Sequence, residues 1–164
     1  MSLNFFRADC QHPPIAVAIF GLCDNQDGSR AYPDTENQPT WIATVVNPEH
    51  LAITFTAIDK CVLRDHEFPG RGRCDAMLTS DRHLYLVELK DMVPPWQSLA
   101  ISQLESTIDF LLATHNLAQF TKKKAFAANK KRDRFVVIDN ESNLAFYRRT
   151  GFRLDIQAEI LFVS

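Results

Sequence analysis

A chain of 164 residues with 46% hydrophobic positions can bury one core without help from disulfides, so a single domain over residues 1–164 is expected. Its 18 Lys and Arg against 20 Asp and Glu leave a formal charge of −2, which excludes a uniformly basic surface and confines any nucleic-acid contact to a local patch. No run approaches the roughly 20 apolar residues that span a bilayer, and Arg7 and Asp9 precede no signal-peptide pattern, so the expectation is a cytoplasmic protein with no membrane segment.

Pro13 and Pro14 lead into Ile15–Phe20, which reads as a strand ended or bent by Gly21. Residues 24–39 are rich in Asp, Asn, Gly, Ser and Pro and read as an exposed loop. Trp41–Val46 and Leu51–Ile58 are β-branched and aromatic, and the Asn47-Pro-Glu-His50 turn between them suggests an antiparallel hairpin. Cys10, Cys23, Cys61 and Cys74 are dispersed, with no C-x-x-C pair and no histidine at zinc-finger spacing; reduced, buried thiols are expected.

The stretch Arg73–Lys90 carries the most information. Leu84-Tyr-Leu-Val-Glu-Leu-Lys90 is apolar on both faces and then places Glu88 and Lys90 on one face, since side chains in a strand repeat every two residues. Two charges ending a buried strand need partners. A turn near Ser80-Asp-Arg82 folds Arg73–Thr79 back on His83–Lys90. With the two-residue loop Asp81-Arg82, Asp75 opposes Glu88; with a four-residue loop it opposes Leu86 on the same side, and only an odd loop separates the charges.

After Pro94 and Pro95, apolar residues at Ala100, Leu104, Ile108, Leu111 and Leu112 give helical spacing over Trp96–His115, with Gln103 beside the buried stripe. Lys122–Ala128 reads as a strand with a basic start, followed by a basic turn and a further strand at Phe135–Ile138. Seven Lys or Arg fall within residues 122–134, which suits either a phosphate-binding edge built from Lys122, Lys123, Lys124, Lys130, Lys131 and Arg132 or a solvated sheet edge. Asn143–Thr150 with Gly151 reads as a short helix with a glycine cap, and Phe152–Val163 as a final strand. Asn143–Phe152 also looks like the late helix and turn of the acetyl-coenzyme-A-dependent N-acetyltransferases. Those need a glycine-rich turn before a helix to hold a pyrophosphate, whereas the helix here begins Pro-Pro-Trp-Gln-Ser.

Two carboxylates converging at a strand end form a hard oxygen site suited to Mg²⁺ or Mn²⁺, and an ammonium beside them can neutralise charge developing on a phosphoryl oxygen. At these residues the chain resembles the PD-(D/E)xK, or restriction-endonuclease-like, nuclease superfamily: Asp75, then Glu88-Leu89-Lys90, then a helix bearing Gln103. The resemblance covers roughly residues 71–138. It implies an α/β fold with a restriction-endonuclease-like mixed sheet core flanked by helices, and phosphodiester hydrolysis in nucleic acid, DNA foremost. By the same resemblance, Asp75, Glu88 and the Leu89 carbonyl are metal ligands, Lys90 is catalytic and Gln103 supports it; many nucleases of this fold act as homodimers. Cys74 stands where the family name has proline, and Thr107 where one branch has tyrosine. The family's usual upstream acid has only Glu67, Glu49 and Asp59 as candidates, without a helix to carry them. The alternative is a catalytically silent nucleic-acid-binding or protein-interaction module of the same fold, with Glu88 and Lys90 as an ordinary ion pair.

Overall fold

The computed structural model describes residues 3–65, 67–93, 95–130 and 140–164. The expected strand Phe135–Ile138 and the basic residues Lys131 and Arg132 lie outside these. The strands are Ile19–Cys23 (β1), Tyr32–Asp34 (β2), Ala43–Val46 (β3), Thr54–Ala57 (β4), Ala76–Thr79 (β5), His83–Lys90 (β6), Lys122–Asn129 (β7), Arg153–Ile156 (β8) and Glu159–Leu161 (β9); the helices are Gln97–Thr114 (α1) and Asn140–Thr150 (α2). Four strands form one sheet in the order β2-β1-β3-β9, and five form another in the order β4-β5-β6-β7-β8. Both are mixed. β1 is antiparallel to β2 and β3, and β3 is parallel to β9. β4, β5 and β6 run antiparallel, whereas β6, β7 and β8 run parallel. The class is α/β, and no helix among the described residues is long and apolar enough to cross a membrane.

A continuous cluster of buried apolar side chains runs through both sheets and α1. Tyr85 of β6 packs on Phe126 of β7 at 5.2 Å between ring centroids and on Phe162, just after β9, at 4.5 Å, so the two sheets are joined through aromatic contact. Every residue of β6 is buried, as expected for a central strand with parallel and antiparallel neighbours.

Several local expectations change. Gly21 does not end a strand but sits within β1, at a position where a Cβ would lie 2.0 Å from the Trp41 ring. The indole needs that space, and its Nε1 donates to Asp34 at 2.8 Å. The loop over residues 24–39 contains β2, which pairs with β1. Trp41–Val46 and Leu51–Ile58 do not form a hairpin: β3 joins one sheet and β4 the other. The cause is the turn. Buried Asn47 donates to the carbonyls of Val17 and Leu51 and accepts from the Leu51 amide, while His50 takes a φ of 51°, redirecting the chain between sheets.

In α1 the buried stripe is Ala100, Leu104, Thr107, Ile108, Phe110 and Leu111; Leu112 is exposed, one position off that face. Gly151 caps α2 with a φ of 78°, as the glycine suggested. The single strand expected over Phe152–Val163 is two, β8 and β9, which belong to different sheets. Cys10 and Cys61 are joined in a disulfide, against the expectation of four thiols, whereas Cys23 and Cys74 are free and buried. Their 51-residue separation hid a pairing that only the fold brings together.

Candidate active site

The hairpin register decides how the charged residues meet. Thr79 pairs with Leu84 and Ala76 with Val87, and the Ser80 amide donates to the His83 carbonyl, so the connecting loop is the two residues Asp81 and Arg82. Continuing the register by one residue sets Asp75 against Glu88. The Asp75 amide instead donates to the Val87 carbonyl at 3.1 Å, and its Oδ2 accepts from the Leu89 amide at 2.7 Å. The carboxylate is thereby fixed at the end of β6.

Glu88 is 2% exposed and Asp75 8%. Glu88 Oε2 lies 2.8 Å from Lys90 Nζ, and buried Glu88 Oε1 receives no N–H, while the neighbouring Asp75 carboxyl is close enough to hydrogen-bond Glu88 when protonated. Burial, more than any other influence, raises both carboxyls. For Asp75 the nearby Glu88 adds to it, and its pKa stands well above the usual range. For Glu88 the Lys90 ammonium opposes burial, leaving it at about 7. Lys90 Nζ also donates to Gln103 Oε1 at 2.8 Å, and Gln103 Nε2 donates to the Arg73 carbonyl at 3.4 Å. Helix α1 thus holds the ammonium from one side and the Asp75-bearing segment from the other. Gly72 permits this approach, since a Cβ there would lie 3.2 Å from the Gln103 Cα.

Cys74 and Thr107, the two departures from the family pattern, are partners. The Cys74 amide donates to Thr107 Oγ1 at 2.8 Å. A proline at 74 would have no N–H to satisfy; a fully buried cysteine has one, and Thr107 receives it.

No α-helix precedes the hairpin among the described residues, and of the three acids Glu49, Asp59 and Glu67 named from the sequence, Asp59 is the one whose charge reaches the site. Its charge acts on Glu88, and its Oδ1 lies 2.9 Å from Arg73 Nε in an ion pair without hydrogen-bond alignment. Glu49 is bonded to Ser164, and Glu67 accepts from the Arg64 amide. The loop after β1 contributes what sequence reasoning passed over. Gln26 Nε2 donates to the Leu89 carbonyl at 3.3 Å, and Asp24 is close enough for its charge to raise Asp75 further. A positive φ of 59° at Gln26 and the Asp24 Oδ1 bond to its amide shape this approach. The Asp-Asn-Gln sequence signalled only a turn.

The predicted basic residues separate. Lys130 is beside the site: its amide donates to the Lys90 carbonyl and its ammonium to the Pro39 carbonyl. Lys122, Lys123 and Lys124 pair with His83, Leu84 and Tyr85, at the other end of β6. At about 3.3 Å per residue they lie roughly 10–17 Å along the strand from Glu88.

The donor set suits a hard divalent cation: two neighbouring buried carboxylates, one with an oxygen that receives no N–H, and a backbone carbonyl at the same strand end. Among the described residues no group of three or more His, Cys, Asp or Glu is arranged to hold a metal, so a cation here would draw its remaining ligands from water and substrate phosphate. Comparison of the chain with protein-family models, curated proteins and solved structures returns no match.

Proposed function

We propose that this chain is a metal-dependent nuclease of the PD-(D/E)xK type that hydrolyses phosphodiester bonds in DNA, with a restriction-endonuclease-like core formed by β5, β6, β7 and α1. The observation that carries the reading is the pair of buried carboxyls, Asp75 and Glu88, close enough to share a hydrogen bond and both raised, with no N–H donated to Glu88 Oε1. Such an arrangement is costly unless a cation or protons offset it.

Asp75, Glu88 and the Leu89 carbonyl would hold Mg²⁺ or Mn²⁺, which would supply positive charge to a phosphoryl oxygen and lower the pKa of a water. Lys90, held by Glu88 and Gln103, keeps a third N–H for a phosphate oxygen or the attacking water. Gln103 orients that ammonium, and the hydrogen bond from the Leu89 amide orients Asp75. The Gln26 amide must leave the Leu89 carbonyl before that oxygen can serve as a full ligand.

Cutting both strands of a duplex would call for two copies, so a homodimer belongs to the proposal. So does a cytoplasmic setting, where the Cys10–Cys61 bond would be open to reduction. The closed Lys90–Glu88 ion pair and the lack of a third clustered acid among the described residues favour the second reading, a silent module that binds nucleic acid or protein without cutting. Purified protein is assayed for Mn²⁺ binding and for nicking of supercoiled and linear DNA, beside Glu88→Gln and Lys90→Met. Cleavage in wild type that both variants lose supports the nuclease. Mn²⁺ binding without cleavage supports the silent module, and no Mn²⁺ binding at all removes the metal site.

A further inference from the structure

The lysines that do not reach the carboxylates line a site of their own. A groove of about 390 Å³ opens at the start of β7 and β8, with Tyr85 among its lining residues, Lys122–Lys124 along β7, and Tyr147 and Arg153 from the end of α2 and the start of β8. We propose that this groove binds single-stranded nucleic acid, taking phosphates on the lysines and Arg153 and one base against Tyr147.

Charge supports an anionic occupant. The Lys122 ammonium donates to the Val163 carbonyl at 2.8 Å and that of Lys123 to the Phe120 carbonyl at 3.3 Å. Neutral acceptors fix those groups in place without cancelling their charge, and each keeps further N–H donors. Among the described residues, the groove's ion pair with an acid is that of Lys124 with Asp155 at 3.2 Å, while Glu49, which feels Lys122, is held by Ser164. Shape and aromatic content favour a nucleic-acid strand over a lipid surface. The site is concave, its volume falls in the range of small-ligand pockets, and Tyr147 is 47% exposed. The Arg153 guanidinium already lies over the Tyr147 ring, 5.6 Å from its centroid. An exposed ring with a guanidinium over one face can take an unstacked base on its other face, and the base is available only in a single strand. The site stands at the opposite end of β6 from Glu88, so it holds whether or not the carboxylates cut.

The test is fluorescence anisotropy with a labelled twelve-nucleotide oligo-dT in EDTA, over a salt series, using the whole wild-type protein. Metal chemistry is then absent, and failure here is distinct from failure of the nuclease reading. Tyr147→Leu is expected to weaken binding about fivefold or more. Arg153→Gln is expected to flatten the plot of log affinity against log salt by about 0.7. Arg7→Gln, on a cation paired with Asp9 outside the groove, leaves binding unchanged. Tyr147 and Arg153 are both exposed, so neither change removes core; Lys123→Gln provides a third variant. No binding by wild type, variants indistinguishable from it, or an equal loss in Arg7→Gln overturns the proposal. So does full displacement of the oligonucleotide by phosphatidylserine vesicles, which would make the groove a lipid site.

Discussion

Replacing Lys90 by methionine keeps an unbranched stem and removes the charge that faces Glu88 at 2.8 Å. Both partners are buried, at 9% and 2% exposure, and breaking such a pair costs about 3–5 kcal/mol by stranding the other charge. Glu88 can escape part of that penalty by taking up a proton, so the loss at pH 8 should be nearer 3 than 5 kcal/mol. For a chain of this length that lowers Tm by about 6–12 °C. At pH 5.5 Glu88, with its pKa at about 7, is already protonated in the folded protein. What Lys90→Met then loses is chiefly the bond to Gln103, about 1 kcal/mol. The wild type should show the matching slope. The folded pKa of Glu88 is raised from 4.5, so the folded state holds a proton that the unfolded state has released. That contribution is fully present below about pH 4.5 and is lost as pH rises through about 7. At about 1.4 kcal/mol per pH unit it amounts to about 3 kcal/mol, and raised Asp75 acts in the same direction. Urea denaturation of both proteins from pH 4.5 to 8 measures this. An equal loss at pH 5.5 and pH 8, or a wild type with no decline over that interval, would refute the account of the pair.

Mn²⁺ binding at pH 6.5 should release protons from Asp75 and Glu88, visible as a dependence of the calorimetric enthalpy on buffer ionisation, and Glu88→Gln should release fewer; binding with no proton release contradicts the assigned ligands. Thr107→Val leaves the buried Cys74 N–H without an acceptor and should cost about 1–3 kcal/mol in chemical denaturation, while an unchanged midpoint means that the bond is replaced. Gly21→Ala drives a methyl into the Trp41 ring and should destabilise by about 1–3 kcal/mol, with altered tryptophan fluorescence; a neutral result would show that the indole has room to move.

The hairpin was legible because two rules agree. Alternation set Glu88 and Lys90 on one face, and both even loop lengths kept Asp75 with them; the structure selects the two-residue loop. Helix α1 followed from apolar spacing, and Gln103 beside that stripe does reach Lys90. Pairings between distant segments were not legible. β3 and β4 look alike in composition, and the buried Asn47 network lies in the turn where the chain passes from one sheet to the other. The Cys74–Thr107 bond joins positions 33 residues apart, and nothing local to either residue signalled that the two would meet. The loop after β1 was passed over for a similar reason: Asp, Asn and Gly signal backbone turns, and nothing local tells which strand end the turn overhangs.

That overhang bears on charge balance. Asp75, Glu88, Asp24 and Asp59 all act on the site electrostatically. Against them, Arg73 is divided between Asp59 and Asp65, Lys130 reaches the Pro39 carbonyl, and Lys122–Lys124 are at the wrong end of β6. Lys90 is the cation bonded to Glu88. Burial is the first reason that Asp75 and Glu88 both hold their protons more tightly than exposed acids do, and the acidic surroundings, which one ammonium does not offset, add to it. The stored imbalance favours whatever positive charge enters at the end of β6. Removing Asp24 should therefore lower the Asp75 pKa, and removing Asp59 that of Glu88; each change should stabilise the protein near pH 7 and weaken Mn²⁺ binding at the proposed site, both measurable by denaturation and calorimetry.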